Sequence, residues 1–126
     1  NAGRSLQAEN LENYWLESNR TYYGPALTAD KELASEWSRI PHFYTPFYVY
    51  KYATGYSAAT AFAEAILSGK ENAVEKYLGF LKAGGSDYSL NILKNAGVDL
   101  TTPQPVAVTL QKFAQKVQEL KTLLKL

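Results

Sequence analysis

The stretch Pro46-Phe-Tyr-Val-Tyr50-Lys-Tyr-Ala-Thr-Gly55-Tyr-Ser-Ala-Ala-Thr60-Ala-Phe-Ala-Glu-Ala65-Ile-Leu-Ser68 decides the fold class. It is too long for a strand, and its apolar residues recur at intervals of three and four instead of alternating. Pro46 suits a first helical position, where its missing N–H would have no partner anyway and its φ is preset. The periodicity therefore predicts one helix from Pro46 to about Ser68, stopped by Gly69. Tyrosines crowd its first half. Its second half carries Ala58, Ala59, Ala61, Ala63 and Ala65, small enough to let another helix approach closely. On such a helix Tyr48 and Tyr52 share a face, while Phe47 and Tyr50 point elsewhere. The stretch has membrane-spanning length, but Lys51, Glu64 and several hydroxyl residues are costly in hydrocarbon. It reads as a buried helix of a soluble protein.

The same spacing extends in both directions. A first helix over Ser5 to Tyr22 places Leu6, Leu11, Tyr14 and Trp15 roughly on one side, with Gly24 and Pro25 ending it and Trp15 docking it onto later elements. Thr28 can cap a short helix through Trp37 with Leu33, Trp37 and Ile40 on its apolar face, and Pro41 stops it. Pro41 and Pro46 bias Ile40 and Thr45 away from helical geometry, so Arg39 to Pro46 reads as an ordered loop. Beyond the long helix, Lys70 to Lys82 carries Ala73, Val74, Tyr77, Leu78 and Leu81 at helical spacing. Ser86 or Asp87 can cap a short helix from Tyr88 to Ala96, with Gly97 as its left-handed end. A last helix, Pro105 to Leu124, puts Val106, Leu110, Phe113, Val117, Leu120 and Leu124 on one stripe. No alternating strand run of useful length is present. The expected fold is all-α, about six helices in a single unit over residues 1–126, with Asn1 and Ala2 read as a processed or foreign end.

Composition narrows the function. The 126 residues are 46% hydrophobic and 20% charged, as in a globular domain able to bury a core without staples. Thirteen basic against twelve acidic residues leave a charge of +1, which gives no footprint for nucleic acid. The absence of cysteine excludes disulfides and thiolate metal sites, and a single histidine, His42, cannot build a two-histidine zinc site or a Cys/His pair. Arg4, Glu9, Glu12, Glu17 and Arg20 interrupt any apolar signal core, so neither export nor membrane insertion is expected and the location expected is cytoplasmic.

The sharpest cluster is His42, Phe43 and Tyr44 in the proline-bracketed loop, feeding Phe47, Tyr48, Tyr50 and Tyr52. A phenol aimed at a cleft can stabilise a developing oxyanion, and a nearby histidine can bind a peptide carbonyl. Physical reasoning alone favours the competing reading, tyrosines packed in a helical core with hydroxyls at its rim. Gly84-Gly85-Ser86 ahead of a helix could offer backbone amides to an anion or carbonyl, although a plain loop and capped helix start explains it more simply. Glu71 and Glu75, flanked by Lys70 and Lys76, read as a solvated face. Glu64 lies among alanines and needs a partner if buried, for which Arg39 is the candidate.

The segment Arg39-Ile-Pro-His-Phe-Tyr44, followed by Phe47-Tyr-Val-Tyr-Lys-Tyr-Ala-Thr-Gly55, resembles the C-terminal part of the oligoendopeptidase F family, among the thimet-oligopeptidase-like zinc metallopeptidases. The resemblance continues through Tyr22-Tyr-Gly24, Tyr77-Leu-Gly-Phe-Leu-Lys82, Gly84-Gly-Ser86 and Gly97-Val-Asp99, and so covers nearly the whole chain. It implies a mostly helical enzyme enclosing a deep channel. A His-Glu-x-x-His helix and a downstream glutamate hold zinc in that family, the glutamate inside the motif acting as general base. None of these groups is in this sequence. The resemblance thus implies a C-terminal catalytic subdomain whose zinc ligands lie upstream and which is inactive alone. Its substrate would be an oligopeptide, its partner the upstream metal-bearing half, and the apolar surface exposed without that half would offer a route to a homodimer. Carried over by position, Tyr50 matches the tyrosine that stabilises the tetrahedral intermediate, and His42 the histidine that hydrogen-bonds substrate near the scissile bond. Tyr48 and Tyr44 are candidates for substrate contact, and Gly84 and Gly85 for shaping the cleft. Ser89 stands where proline is frequent in the family, and Phe47 where tyrosine occurs. The alternative reading is a non-enzymatic helical module that binds peptide or a partner protein through an aromatic groove.

Overall fold

Residues 5–126 are described by the computed structural model, and every regular element among them is helical. The expectation for Asn1 and Ala2 lies outside the described residues. Five α-helices are α1 (Ala8–Tyr23), α2 (Tyr50–Leu67), α3 (Ala73–Ala83), α4 (Ser89–Asn95) and α5 (Gln104–Leu124), joined by two 3-10 segments at Glu32–Arg39 and Pro41–Tyr44. The all-α expectation holds. The chain divides into two compact units, one running to Val49 and the other from Tyr50 to Leu126.

In the first unit α1 starts where the Gln7 backbone N–H donates to Asn10 Oδ1 at 3.3 Å. It ends at Gly24, whose φ of +70° lets its N–H return to the Arg20 carbonyl at 3.0 Å. Trp15 meets Phe43 edge to face at 5.5 Å, and Ser35 Oγ donates to Glu12 Oε1 at 3.1 Å. The expected Thr28-capped helix is corrected: the segment is 3-10, begins at Glu32, and takes its side-chain acceptor from Asp30, whose Oδ1 receives the Leu33 N–H at 3.3 Å. Pro41 does not simply end it. Ile40 is extended, as a residue before proline prefers, and Pro41 opens the second 3-10 turn.

In the second unit, α2 begins at Tyr50, not Pro46, because Phe47 has φ +56° and a right-handed helix cannot run through a left-handed residue. Tyr48 consequently precedes the helix and shares no helical face with Tyr52. Asn72 at φ +57° likewise delays α3 to Ala73. The core gathers Ala58 and Phe62 of α2 with Ala96 and Val98, and Tyr77, Phe80, Leu93 and Leu100 pack around them. Gly97, at φ +97°, closes α4 in the expected left-handed conformation. Helix α5 lies against α2, with Pro105 buried and Val108, Thr109 and Lys112 half-buried. Lys112 Nζ sits 2.8 Å from Glu64 Oε1, so Glu64 pairs across the helices with Lys112, while Arg39 pairs with Glu36 one turn away. Both partners of the α2–α5 pair are about one-third exposed, which limits its worth to about 1 kcal/mol or less.

The turn between α4 and α5 is organised by Asp99. Thr101 donates from its hydroxyl at 2.5 Å and from its backbone N–H at 2.9 Å, and Lys94 Nζ lies at 3.0 Å. These contacts, the Thr101 hydroxyl foremost, lower the Asp99 pKa from 3.8 to about 2. A carboxyl whose folded pKa is depressed contributes stability above its unfolded value, and that contribution disappears as pH falls from about 4 towards 2. Asp99→Asn should therefore unfold at lower urea concentration than the parent chain at pH 5, with the difference closing as the pH approaches 2.

Candidate functional site

Tyr50 opens α2, and behind it Gly55, Ala58, Ala59 and Ala63 present almost no side-chain volume. That lack of bulk leaves a groove of about 1380 Å³ beside α2, walled on the far side by α3, α4 and the turn between them. Phe62, Tyr77 and Phe80 line its apolar part, while Tyr50, Gly84, Gly85, Asp87 and Tyr88 bring backbone and polar atoms to it. The volume exceeds the range of about 300–1000 Å³ common for small-molecule pockets and suits a length of chain.

The structure thus brings Tyr50 together with Gly84 and Gly85. Tyr50 is 57% exposed, Tyr52 70% and Tyr56 69%, which overturns the reading of α2 tyrosines packed into a core. Among the described residues no hydrogen bond occupies the Tyr50 hydroxyl, which leaves an O–H donor at the groove. Gly84 has φ +52° and ψ −122°, a conformation that a residue with a Cβ resists. Gly85 is different: a Cβ there would meet nothing within 4 Å, so its bareness matters only to whatever enters from outside. Two of the amides after the glycines, those of Ser86 and Tyr88, are already engaged. Ser86 N–H donates to the Ala83 carbonyl at 3.1 Å, and Asp87 Oδ1 accepts from Tyr88 N–H at 2.6 Å and Asn91 Nδ2 at 3.1 Å. An anion cradle at this helix start is therefore not what the sequence built; Asp87 fills that position itself.

In the first unit the 3-10 turn spreads three consecutive side chains in three directions. The His42 ring lies 5.4 Å from that of half-buried Tyr48 at 30°, Phe43 anchors to Trp15, and the Tyr44 hydroxyl donates to the Ser38 carbonyl at 2.7 Å. Phe43 and Tyr44 fix the turn, which holds His42 at an exposed position against Tyr48. With its hydroxyl committed to Ser38, Tyr44 can meet a ligand only through its ring or the remaining lone pair.

Asp87 and Tyr88 are site-lining residues that the sequence reading assigned only to a helix cap. The one available signal was their adjacency to Gly84-Gly85-Ser86. Among the described residues no three His, Cys, Asp or Glu side chains converge, so the donors of this chain do not fit a zinc site. Among the same residues no helix is long and apolar enough to cross a membrane.

The family model described as Peptidase family M3 matches residues 1–112. The chain belongs to peptidase family M3. Among M3 relatives, Oligopeptidase PepF of Bacillus subtilis is 48% identical over 122 residues, which is 97% of this chain and 18% of that protein. Group B oligopeptidase PepB of Streptococcus agalactiae is 42% identical over 121 residues, 96% of this chain and 20% of the relative. The crystal structure of oligoendopeptidase-F from Enterococcus faecium shares the fold at a TM-score of 0.90 and 45% identity, covering 98% of this chain and 24% of that one. The M3 chain described here spans about a fifth of the length of the curated relatives it matches.

Proposed function

We propose that this chain serves a zinc-dependent M3 metalloendopeptidase that hydrolyses internal bonds of oligopeptides, and that it supplies oxyanion-stabilising and substrate-binding groups while the zinc ligands lie on sequence outside it. The observation that carries this reading is the exposed Tyr50 phenol, without a partner among the described residues, at a groove of peptide-accommodating size in a member of a peptidase family. Attack on a peptide carbonyl turns its oxygen into an oxyanion, and an O–H donor held in place strengthens its hydrogen bond as that charge develops. Tyr50 fills this role. The peptide backbone lies along the groove past Gly84 and Gly85, where no side chain obstructs its approach. His42, held by a turn that Phe43 and Tyr44 anchor, donates a hydrogen bond to a substrate carbonyl, with Tyr48 positioning its ring.

The full-length enzyme carrying this chain should hydrolyse internally quenched oligopeptides, lose the activity to a zinc chelator and regain it with added zinc, whereas the 126-residue chain alone should show no hydrolysis. His42→Ala in the full-length enzyme should lower kcat/KM roughly tenfold, the equivalent of about 1.4 kcal/mol from one substrate hydrogen bond. Wild-type kinetics in that variant would remove His42 from the site. A full-length protein that binds peptides without cleaving them would favour the binding-module reading.

A further inference from the structure

The final helix carries an apolar seam that the packing described above does not use. Val106, Leu110, Phe113, Val117, Leu120 and Leu124 follow strict four-three spacing, the pattern of the a and d positions in a coiled coil. All but half-buried Val117 are exposed, Leu110 at 63% and Phe113 at 67%. The stripe lies about a third of a turn around α5 from the Pro105, Val108, Thr109 and Lys112 side that rests on α2. A row of this length facing water marks a surface for another partner.

Charge indicates which partner. The positions flanking the seam, where coiled-coil partners meet electrostatically, are Ala107, Thr109, Ala114, Lys116, Lys121 and Leu123. Their only charges are lysines, Lys116 sharing its charge with Glu119 of the same helix at 2.7 Å. Two copies of α5 paired in parallel would set Lys116 of one against Lys121 of the other, and an antiparallel pair would again oppose lysines. Self-association is thereby penalised, and a helix with acidic flanks is favoured. We infer that the α5 seam docks an acid-flanked amphipathic helix belonging to the remainder of the full-length peptidase. This rests on the reading that a longer M3 peptidase carries this chain. The Enterococcus faecium relative supports it, since the same fold occupies 24% of its chain and leaves ample sequence to supply such a helix.

The sequence contains no cysteine, so Leu120→Cys introduces the one thiol of the chain, and Gln118→Cys gives a control on the exposed neighbouring face. Both should react with a maleimide at similar rates in the 126-residue chain. In the full-length peptidase Leu120→Cys, followed by mass spectrometry of its peptide, should be protected at least about tenfold while Gln118→Cys stays reactive. Leu110→Cys should repeat the result and guard against a local effect at one site. A synthetic helix with leucine at its seam and glutamate at its flanks should protect Leu120→Cys in the isolated chain at low salt and less at high salt, and a lysine-flanked version should not. Equal labelling in both proteins, protection that rises with the concentration of the chain itself, or stronger protection by phosphatidylserine vesicles than by the acidic peptide would each overturn the proposal. Peptide hydrolysis by the unlabelled full-length protein, measured in parallel, reports separately on the reading of function.

Discussion

Replacing Tyr50 with phenylalanine in the full-length peptidase should lower kcat roughly a hundredfold and leave KM within about a factor of two. The substitution keeps the ring and removes one oxygen. Because Tyr50 is an exposed residue and its hydroxyl has no partner among the described residues, losing that oxygen opens no core cavity and strands no hydrogen-bond partner. Helicity and unfolding midpoint should therefore match the parent. The ground-state substrate carbonyl is a weaker acceptor than the oxyanion it becomes, so the missing donor is felt mainly in the transition state. Zinc content should also be unchanged, since the chain shows no cluster of metal-ligating side chains among its described residues. Steady-state kinetics on an internally quenched peptide, with metal analysis of the same preparation, would check all three statements. An unaltered kcat would remove Tyr50 from the oxyanion role and leave the groove as a binding surface only.

The helical class was legible because period and punctuation agree. Gly24 and Gly97 stop their helices as expected, and the bounds of α1 and α5 lie close to those the spacing predicts. Phe47 was not legible. Nothing in an aromatic side chain announces a positive φ, and Pro46 looks like an ordinary helix start, so the break before Tyr50 is a tertiary result. Its consequence reaches the site, for it separates Tyr48 from the helix and leaves Tyr50 on the first turn of α2. Glu64 shows a second limit. The sequence indicates that a carboxylate among alanines needs a partner, but Lys112 becomes the partner only through the packing of α5 on α2. The stripe on α5 shows a third: spacing tells which side chains share a face, whereas whether anything covers that face depends on matter outside the helix. For the candidate site, aromatic density drew attention to residues 42–52, of which Tyr50 lines the groove. The roles of Tyr50 and His42 came from resemblance to a family, since one histidine and several tyrosines define no chemistry by themselves.

Phe62→Ala should produce the largest loss of stability in the second unit, about 3–5 kcal/mol. Phe62 is 7% exposed and lies 5.3 Å from both Tyr77 and Phe80, whose rings stack on one another at 6.1 Å. Removing its ring takes one member from a three-ring cluster that joins α2 to α3, and the two remaining rings cannot move to fill the space without giving up their own contact. Phe62 also borders both the large groove and a smaller cavity of about 250 Å³ on the α5 side, so truncation would thin the wall between them. A loss of this size is a large part of the 5–15 kcal/mol that an ordinary domain has in total. Urea unfolding followed by far-ultraviolet circular dichroism should show the midpoint falling sharply. In the full-length enzyme the same variant should lose activity in proportion to the fraction unfolded, unlike Tyr50→Phe, which should lose turnover while fully folded. A stability loss below about 1 kcal/mol would mean that the groove wall collapses onto the vacated space, and the aromatic cluster would then be a flexible lining instead of the element that holds the groove open.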